Sequence, residues 1–493
     1  VFSNVSGQSE DKIRQVEKER DTTIRILLKT KFYLKLHKET NVLPPSTMKQ
    51  IDQGFIIFIR PYAERIYPNT IPRNEEIVKE VYTFATPGEY QPLSIGLYPL
   101  TTIKGLKVSL TDLKSKKGII SKEHLNLRQA YLQPLKAKEE GIAEIGYNIL
   151  EVAKIVDIAG RKSRKWGIEV GNTKQFWLTI KVPRNTKPGK YLGAMKFISQ
   201  NTKSVVINLT LEVLPFTLLN DPNSTWGCDY FPKIDLKHWD WIEDWKEHNM
   251  TGYGIYTRPL WIESDGELHL NFDDFDQWMD YYKKGGLTGP IDLVLGDVGA
   301  LVDEIPKRLK CKKFSTDWNK HFVFTVKEML KFFKENDYPP IHLWTVDEPD
   351  GQENTPERRK NMRGCINALK TIPEAIISGL PNSDKSVIDF MFDMHCPTIY
   401  PPQVTKEILA RAKQKGIKII IGGGPLRNPK GARLKNGLWH WRTGVYGQTF
   451  WNYYIPKGDP LNDLDGKDAC MVFPSRYDKR SMNPTITWEC CRE

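Results

Sequence analysis

The chain has 493 residues, of which 40% are hydrophobic, 27% are charged and 11% are aromatic. This composition excludes a wholly disordered, collagen-like or coiled-coil protein, and the length predicts two or three domains because one core rarely exceeds about 250–300 residues. The formal net charge of +12 predicts a surface that attracts anions. No apolar run approaches the roughly 18–20 residues of a membrane span, so we predict none.

The first segment, residues 1–52, is predicted to be helical. Ser9 to Lys38 contains neither Gly nor Pro and places apolar residues at helical spacing. We interpret this helix as a solvated or partner-facing element, available for self-association or for binding a partner. The chain begins with Val1 and shows no leader, which we interpret as a removed signal peptide, so we predict export to the periplasm, the cell envelope or the medium.

Residues 53–220 are predicted to form a β-sandwich. Short β-branched and aromatic runs follow one another here, broken by Pro and Gly, without helical patterns between them. The predicted strands are Phe55 to Arg60, Val81 to Ala85, Leu93 to Tyr98, Leu106 to Thr111, Phe176 to Val182, Tyr191 to Ser199 and Val205 to Val213.

Residues 221–493 are predicted to form a (β/α)8 barrel of the TIM type, because extended apolar segments now alternate with helical patterns. A doubly wound sheet is the alternative fold. The predicted helices are Phe275 to Lys284, Phe322 to Asn336, Pro356 to Leu369 and Thr405 to Lys415. The predicted strands are Thr225 to Tyr230, Gly252 to Tyr256, Ile291 to Gly296, Ile341 to Val346, Ala375 to Gly379, Cys396 to Tyr400, Ile417 to Ile421 and Gly444 to Trp451.

Two adjacent acids, Asp347 and Glu348, end the fourth predicted barrel strand and are followed by Pro349. Active sites of such barrels collect at the C-terminal strand ends. Neighbouring strand residues point to opposite faces, so both acids share a pocket only if the chain already turns there, which Pro349 favours. Like charges and an apolar wall such as Trp344 favour a protonated carboxyl group, which is what a general acid requires.

The second catalytic group is open at this point. A conventional glycosidase places a second carboxylate about 5–5.5 Å from the acid if retaining and about 6.5–9.5 Å if inverting. Asp229, Asp297 and Asp393 are the candidates near predicted strands. The alternative is substrate assistance, in which a 2-acetamido oxygen attacks the anomeric carbon while Asp347 orients and stabilises the acetamido group and Glu348 is the acid and base.

Aromatic residues indicate a carbohydrate cleft. The 14 tryptophans exceed the needs of core packing, and several fall near predicted strand ends, where flat rings suit the apolar faces of sugars. The candidates for substrate contacts are Trp344, Trp439, Trp441, Trp451, Asp229, Tyr230, Arg258, Asp297 and Asn452.

Cysteines, histidines and basic residues show no pattern of a cofactor or nucleic-acid site. The seven cysteines lack C-x-x-C spacing, and the nine histidines lack H-E-x-x-H spacing. The densest basic run, residues 161–165, lacks interleaved aromatics and is interpreted as a solvated loop. We therefore predict no cofactor, no catalytic metal and no nucleic-acid partner.

From about Gly54 to its end the chain resembles glycoside hydrolase family 123 and its larger relatives, which pair a β-sandwich with a catalytic barrel. The relatives typically continue their last helix, so we expect a truncated closing helix at Glu493. The stretches that carry the resemblance are 54–68, 85–92, 177–183, 188–193, 213–216 and 346–349.

The resemblance implies an exo-acting β-N-acetylgalactosaminidase that works by substrate assistance on a carbohydrate or glycoconjugate. It implies that Glu348 is the general acid/base and that Asp347 stabilises the oxazoline-like intermediate, with Tyr400 as the candidate hydrogen-bond donor to the acetamido oxygen.

Two alternative functions stay open. One is a two-carboxylate glycosidase that uses Asp229 or Asp297 with Glu348. The other is a non-catalytic glycan-binding or envelope-associated structural protein on the same scaffold.

Overall fold

The structure is a computed structural model, and its described residues fall into two compact units. The first unit takes residues 39–218 and 472–489, and the second takes 221–455, 469–471 and 490–492. None of the helices in the described part of the chain is long and apolar enough to cross a membrane. The described residues are 39–136, 143–152, 167–218, 221, 224–228, 241–252, 254–255, 260–264, 267–296, 300–348, 356–381, 388–423, 428–450, 453–455, 469–475 and 482–492.

Several sequence predictions lie outside the described residues. They include the N-terminal helix from Ser9 to Lys38 and the basic run at residues 161–165. Self-association through that helix therefore stays a prediction.

Two sheets make up the first unit. One has the order β1-β3-β11-β8-β9, the other has the order β2-β13-β12-β6-β7 with β5 also paired to β12, and β4 pairs with β10. In chain order the elements are α1 (Met48–Gln53), β1 (Phe55–Arg60), β2 (Glu80–Ala85), β3 (Tyr90–Pro99), β4 (Ile103–Lys104), β5 (Lys107–Leu110), β6 (Leu113–Ser115), β7 (Gly118–Ile120), β8 (Leu125–Lys136), β9 (Ala143–Val152), β10 (Gly167–Ile168), β11 (Lys174–Lys181), β12 (Gly189–Ile198) and β13 (Val205–Val213).

The two sheets share one hydrophobic core. Phe55 on β1 and Phe176 on β11 both contact Phe197 on β12, with ring centroids 6.3 and 6.0 Å apart. All three rings are buried, and a fully buried side chain of this size contributes about 1.5–3 kcal/mol. Strand β2 alternates exposed and buried residues along its whole length, as expected for a strand with one face on a core.

Eight parallel strands form the main sheet of the second unit. Its elements are β14 (Thr225–Cys228), α2 (Trp241–Glu247), β15 (Gly254–Ile255), β16 (Leu260–Ser264), β17 (Glu267–Asn271), α3 (Asp273–Gly285), β18 (Ile291–Val294), α4 (Leu301–Leu309), α5 (Thr316–Glu335), β19 (Ile341–Asp347), α6 (Pro356–Leu369), β20 (Ile376–Leu380), β21 (Cys396–Ile399), α7 (Lys406–Gln414), β22 (Ile420–Ile421), α8 (Pro429–Leu434), a π-helical turn (Lys435–Trp439), α9 (His440–Thr443), β23 (Gly447–Phe450), β24 (Tyr454–Ile455) and β25 (Ala469–Cys470).

The order of the parallel strands is β14-β23-β22-β21-β20-β19-β18-β15. A further parallel bridge joins Gly227 on β14 to Gly252, just before β15, and the amides of Thr251 and Gly252 donate to the Trp226 carbonyl at 2.7 and 3.1 Å. The first strand is therefore linked to both the last strand and the segment that leads into the second. A doubly wound sheet, the alternative fold considered from the sequence, reverses its strand order at one point, and this sheet does not. The mixed α/β architecture of the second unit agrees with the sequence prediction.

The chain returns to the first unit after β25. Strands β26 (Val472–Pro474) and β27 (Met482–Pro484) pair with each other, and α10 (Ile486–Glu489) follows. Both β27 and α10 contact β9, and the Thr179 hydroxyl lies 3.4 Å from a Glu489 carboxylate oxygen. The sequence interpretation assigned these residues to the barrel. The structure places them in the first unit because they pack on its sheet.

Gly96 tests the packing of the first sheet. It pairs with Phe58 across β1 and β3, and a Cβ atom at position 96 would lie 2.0 Å from the Phe58 Cζ atom. We expect Gly96→Ala to destabilise the first unit by about 1–3 kcal/mol, because overpacking displaces the buried ring. Urea unfolding followed by tryptophan fluorescence measures this change.

Gly437→Ala is the matched control, because a Cβ atom there has no neighbour within 4 Å. We expect it to leave the urea midpoint unchanged or to raise it, since alanine restricts the unfolded chain. Equal midpoint shifts in the two variants would contradict the packing explanation.

Candidate active site

Asp347 and Glu348 lie at the C-terminal end of β19, where the strand becomes irregular. Trp344 pairs with Ser378 and Asp347 pairs with Leu380, so β19 contains one extra residue at this bulge. Glu348 has a φ of 40°, a left-handed conformation that is unusual for a residue other than glycine. The bulge and the turn break the alternation that points neighbouring side chains to opposite faces. Both acids are half-buried.

Tyr400 holds Glu348. It directly follows β21, and its hydroxyl donates a hydrogen bond to Glu348 Oε1. The backbone amide of Tyr400 donates in turn to Gln403 Oε1 at 2.7 Å, which fixes the start of the turn Pro401–Gln403. The structure therefore brings together the acid and the tyrosine that were predicted from separate strands.

Trp344 forms part of an apolar wall beside this pair. Its side chain is 7% exposed and packs in a cluster with Val294, Ala300 and Leu380, against which Tyr400 also packs. The Trp344 Nε1 atom is buried without a hydrogen-bond partner in the described part of the chain. A buried N–H group without a partner costs free energy.

A cavity of about 470 Å³ opens beside Tyr400 at the C-terminal ends of β21 and β22. Gly423 leaves space at the edge of the cavity because it has no side chain. Its φ is 77°, and a Cβ atom there would lie 3.3 Å from the Tyr400 ring. Two aromatic rings, two apolar side chains, three glycines and one amine form the lining, and the rings suit the apolar face of a sugar. The lining residues are Tyr400, Pro401, Gly422, Gly423, Gly431, Leu434, Lys435 and Trp439.

Lys435 is the one cationic side chain among these lining residues. Its ammonium group donates to the carbonyl of Gly423 and, at 3.3 Å, to that of Gly422. It also lies 5.9 Å from the centroid of the Phe450 ring. Burial lowers the pKa of Lys435 to about 8, against a smaller opposing effect of Cys491. Burial raises the pKa of that thiol to about 12, so Cys491 is neutral at pH 7.

The π-helical turn brings Lys435 and Trp439 to the same cavity. Turns of this kind are rare and are often found at functional sites. Gln448 Nε2 donates to the Lys435 carbonyl at 2.8 Å and so satisfies a backbone group of the turn. No sequence pattern distinguished Lys435 among the 72 Lys and Arg residues, and sequence reasoning missed it.

The structure separates some of the other predicted site residues from this cavity. Trp441 lies on α9, is 81% exposed and does not line the cavity. Asp393 lies before β21, at the end of the strand opposite to Tyr400, and pairs with Lys370 at 2.6 Å. The remaining candidates lie outside the described residues: Asp229, Tyr230, Arg258, Asp297, Trp451 and Asn452.

Comparisons with known proteins agree with the predicted resemblance. Residues 87–198 match the model of the glycoside hydrolase 123 N-terminal domain. The structure is similar to a family 123 glycoside hydrolase from Clostridium perfringens, studied for glycolipid glycan hydrolysis, with a TM-score of 0.67 and 13% identity over 89% of this chain and 86% of that chain. No curated protein matches the chain.

A second similar structure is a family 39 glycoside hydrolase from the gut symbiont Bacteroides cellulosilyticus WH2. Its TM-score is 0.38, with 13% identity over 78% of this chain and 82% of that chain. The match to the Clostridium perfringens enzyme shows a shared fold over most of both chains. Together with the domain match it confirms the resemblance to glycoside hydrolase family 123.

The buried amine of Lys435 predicts how stability depends on pH. Its pKa is lowered from 10.5 to about 8, so between these values the unfolded chain binds a proton that the folded chain does not. The free energy of unfolding is therefore highest, as far as this amine is concerned, above about pH 10.5. It decreases as the pH falls through about 8, where the folded chain must also bind the proton. We expect Lys435→Met to remove this dependence and to raise the free energy of unfolding at pH 7 by up to about 3 kcal/mol.

Thermal and urea unfolding from pH 6.5 to 9.5 measure this difference between wild type and variant. Burial raises the pKa of Cys491 to about 12, so this thiol stays neutral over that pH range. The control is Lys413→Met on the exposed face of α7, which should behave as wild type. A loss of stability in Lys435→Met at pH 7, with an unchanged pH dependence, would mean that the amine has an anionic partner.

Proposed function

We propose that this protein is a glycoside hydrolase that removes 2-acetamido sugars, as a β-N-acetylgalactosaminidase does, by substrate-assisted retaining catalysis. The observation that carries the proposal is the pair Asp347 and Glu348 at the end of β19, with Glu348 bonded to Tyr400 beside the cavity. The ring order of the eight parallel strands supports a (β/α)8 barrel, in which strand ends of this kind carry catalytic residues. The two facing sheets support a β-sandwich before it.

In the proposed mechanism Glu348 donates a proton to the glycosidic oxygen as the bond to the anomeric carbon breaks. The acetamido carbonyl oxygen of the same sugar attacks that carbon and forms an oxazoline-like ring, whose positive charge the Asp347 carboxylate stabilises. Glu348 then removes a proton from a water molecule that opens the ring at the anomeric carbon. Two displacements at one carbon retain its configuration, and the protein needs no nucleophile of its own.

Tyr400 takes one of two roles in this mechanism. A phenol has one hydrogen to donate, and in the structure Tyr400 donates it to Glu348. It therefore either orients the acid throughout or transfers its hydrogen bond to the acetamido oxygen when the sugar enters. The two roles have different kinetic signatures.

The adjacent acids are tested by Asp347→Asn and Glu348→Gln. We expect Glu348→Gln to lower kcat/KM by about 10²–10⁴-fold, because it removes the proton donor. We expect Asp347→Asn to lower it by about 10²–10³-fold, because it removes the charge that stabilises the intermediate. The assay is release of 4-nitrophenol from the β-N-acetylgalactosaminide and the β-N-acetylglucosaminide, with thiazoline inhibition as a second measurement.

Asp393→Asn is the matched control, since this acid forms a half-exposed ion pair before β21. We expect wild-type activity from it. Equal turnover of plain hexosides that lack the acetamido group would contradict substrate assistance and favour a two-carboxylate glycosidase. Binding of glycans without any cleavage would favour a non-catalytic glycan-binding protein.

Tyr400→Phe distinguishes the two roles of the tyrosine. If Tyr400 orients Glu348, the variant keeps its affinity for a thiazoline inhibitor while the pH profile of kcat/KM shifts. If Tyr400 donates to the acetamido oxygen, thiazoline affinity falls by about 10-fold, as expected for the loss of one hydrogen bond of about 1.5 kcal/mol. An unchanged pH profile together with unchanged inhibitor affinity would show that Tyr400 has neither role.

A further inference from the structure

The cavity beside Tyr400 contains a positive charge that the described residues do not neutralise. Among the described residues that line the cavity, Lys435 is the one ionisable group apart from the phenol of Tyr400. None of the ion pairs between described residues includes Lys435, and the nearby thiol of Cys491 is neutral at pH 7 because burial raises its pKa to about 12. A half-buried ammonium group without a counter-charge is costly, so a bound anion would stabilise it.

The hydrogen bonds of Lys435 leave room for such an anion. An ammonium group has three N–H donors, and the carbonyls of Gly422 and Gly423 accept from Lys435 on the β22 side of the cavity. One donor remains for a ligand. Because Lys435 lines the cavity, a group that enters the cavity can reach it.

The position of Lys435 relative to the acids limits where the anion lies on a substrate. Tyr400 lines the same cavity as Lys435 and donates a hydrogen bond to Glu348, so one phenol connects the cavity that holds the amine with the proposed catalytic acid. A charged group bound by Lys435 therefore belongs to the cleaved sugar or to its immediate neighbour.

We propose that Lys435 is a specificity-determining residue that binds a sulfate or carboxylate group on the glycan, so that the enzyme prefers anionic glycans. This inference rests on the proposed function for the identity of the ligand as a glycan. The formal charge of +12 attracts anionic polymers to the surface, and the rings of Tyr400 and Trp439 suit the apolar faces of the sugar.

The test uses binding, so that it does not depend on turnover. Isothermal titration of the Glu348→Gln variant compares N-acetylgalactosamine, its 4-sulfate and 6-sulfate esters, glucuronic acid and inorganic sulfate. A hydrogen bond to a charged group contributes about 1.5–3 kcal/mol, so we expect the preferred anionic sugar to bind about 10–100-fold more tightly than N-acetylgalactosamine. The sulfated and carboxylated sugars distinguish the two sources of the anion.

Three further variants in the Glu348→Gln background assign the preference to the amine. We expect Lys435→Met and Lys435→Gln to lower the affinity for the anionic sugar to that for the neutral one. Lys435→Gln retains donors for the two glycine carbonyls, so it removes the charge with less change to the backbone. Lys413→Met, on the exposed face of α7, should keep the full preference, and circular dichroism verifies that each variant is folded.

The inference is overturned if neither anionic sugar binds more tightly than N-acetylgalactosamine, if the folded Lys435 variants keep the preference, or if inorganic sulfate binds as tightly as the sugar sulfate. These outcomes differ from a failure of the proposed function. Binding of anionic sugars that depends on Lys435, without cleavage of any 2-acetamido sugar by wild type, supports the inference alone. Cleavage of neutral 2-acetamido sugars without any anion preference supports the proposed function alone.

Discussion

The alternation of side chains along a β-strand is the constraint that the candidate site must overcome. In a regular strand two adjacent acids point to opposite faces, so at most one of them faces a ligand. The bulge between Trp344 and Asp347 and the left-handed backbone of Glu348 remove this restriction. A left-handed residue other than glycine costs about 1–3 kcal/mol and persists where its surroundings hold it. The hydrogen bond from Tyr400 and the pairing of Asp347 with Leu380 hold it here.

Two glycines that follow β22 also shape the backbone of the candidate site. Gly423 has a positive φ, and a Cβ atom there would lie in tight contact with the Tyr400 ring, so a side chain at this position would press on the phenol that donates to Glu348. The carbonyls of Gly422 and Gly423 also accept hydrogen bonds from Lys435. One short glycine segment after β22 therefore positions both the phenol and the amine, and a substitution there would affect the acid and the cation together.

Sequence patterns predicted the strands that carry strong β-branched or alternating signals. Strands β1 and β13 have the predicted bounds, and Ile341–Asp347 differs from its prediction by one residue. Strands β4, β6, β7 and β10 have two or three residues each, too few to show a period. The return of residues 472–489 to the first unit was not predicted because no change of composition marks it; packing on β9 decides it.

Within the candidate site, too, some features are visible in sequence patterns and others depend on the fold. The acids are visible in the sequence because an apolar strand ends in two carboxylates, and Tyr400 is visible because it ends another strand. The bulge, the left-handed turn and the π-helical turn depend on backbone geometry that no local pattern encodes. Lys435 lies in that π-helical turn. Its bonds to the carbonyls of Gly422 and Gly423 tie the amine to the segment after β22, so backbone groups more than ten residues away in the sequence set its place in the cavity. One cavity therefore brings together a phenol predicted from the end of a strand and a cation that only the backbone geometry places there.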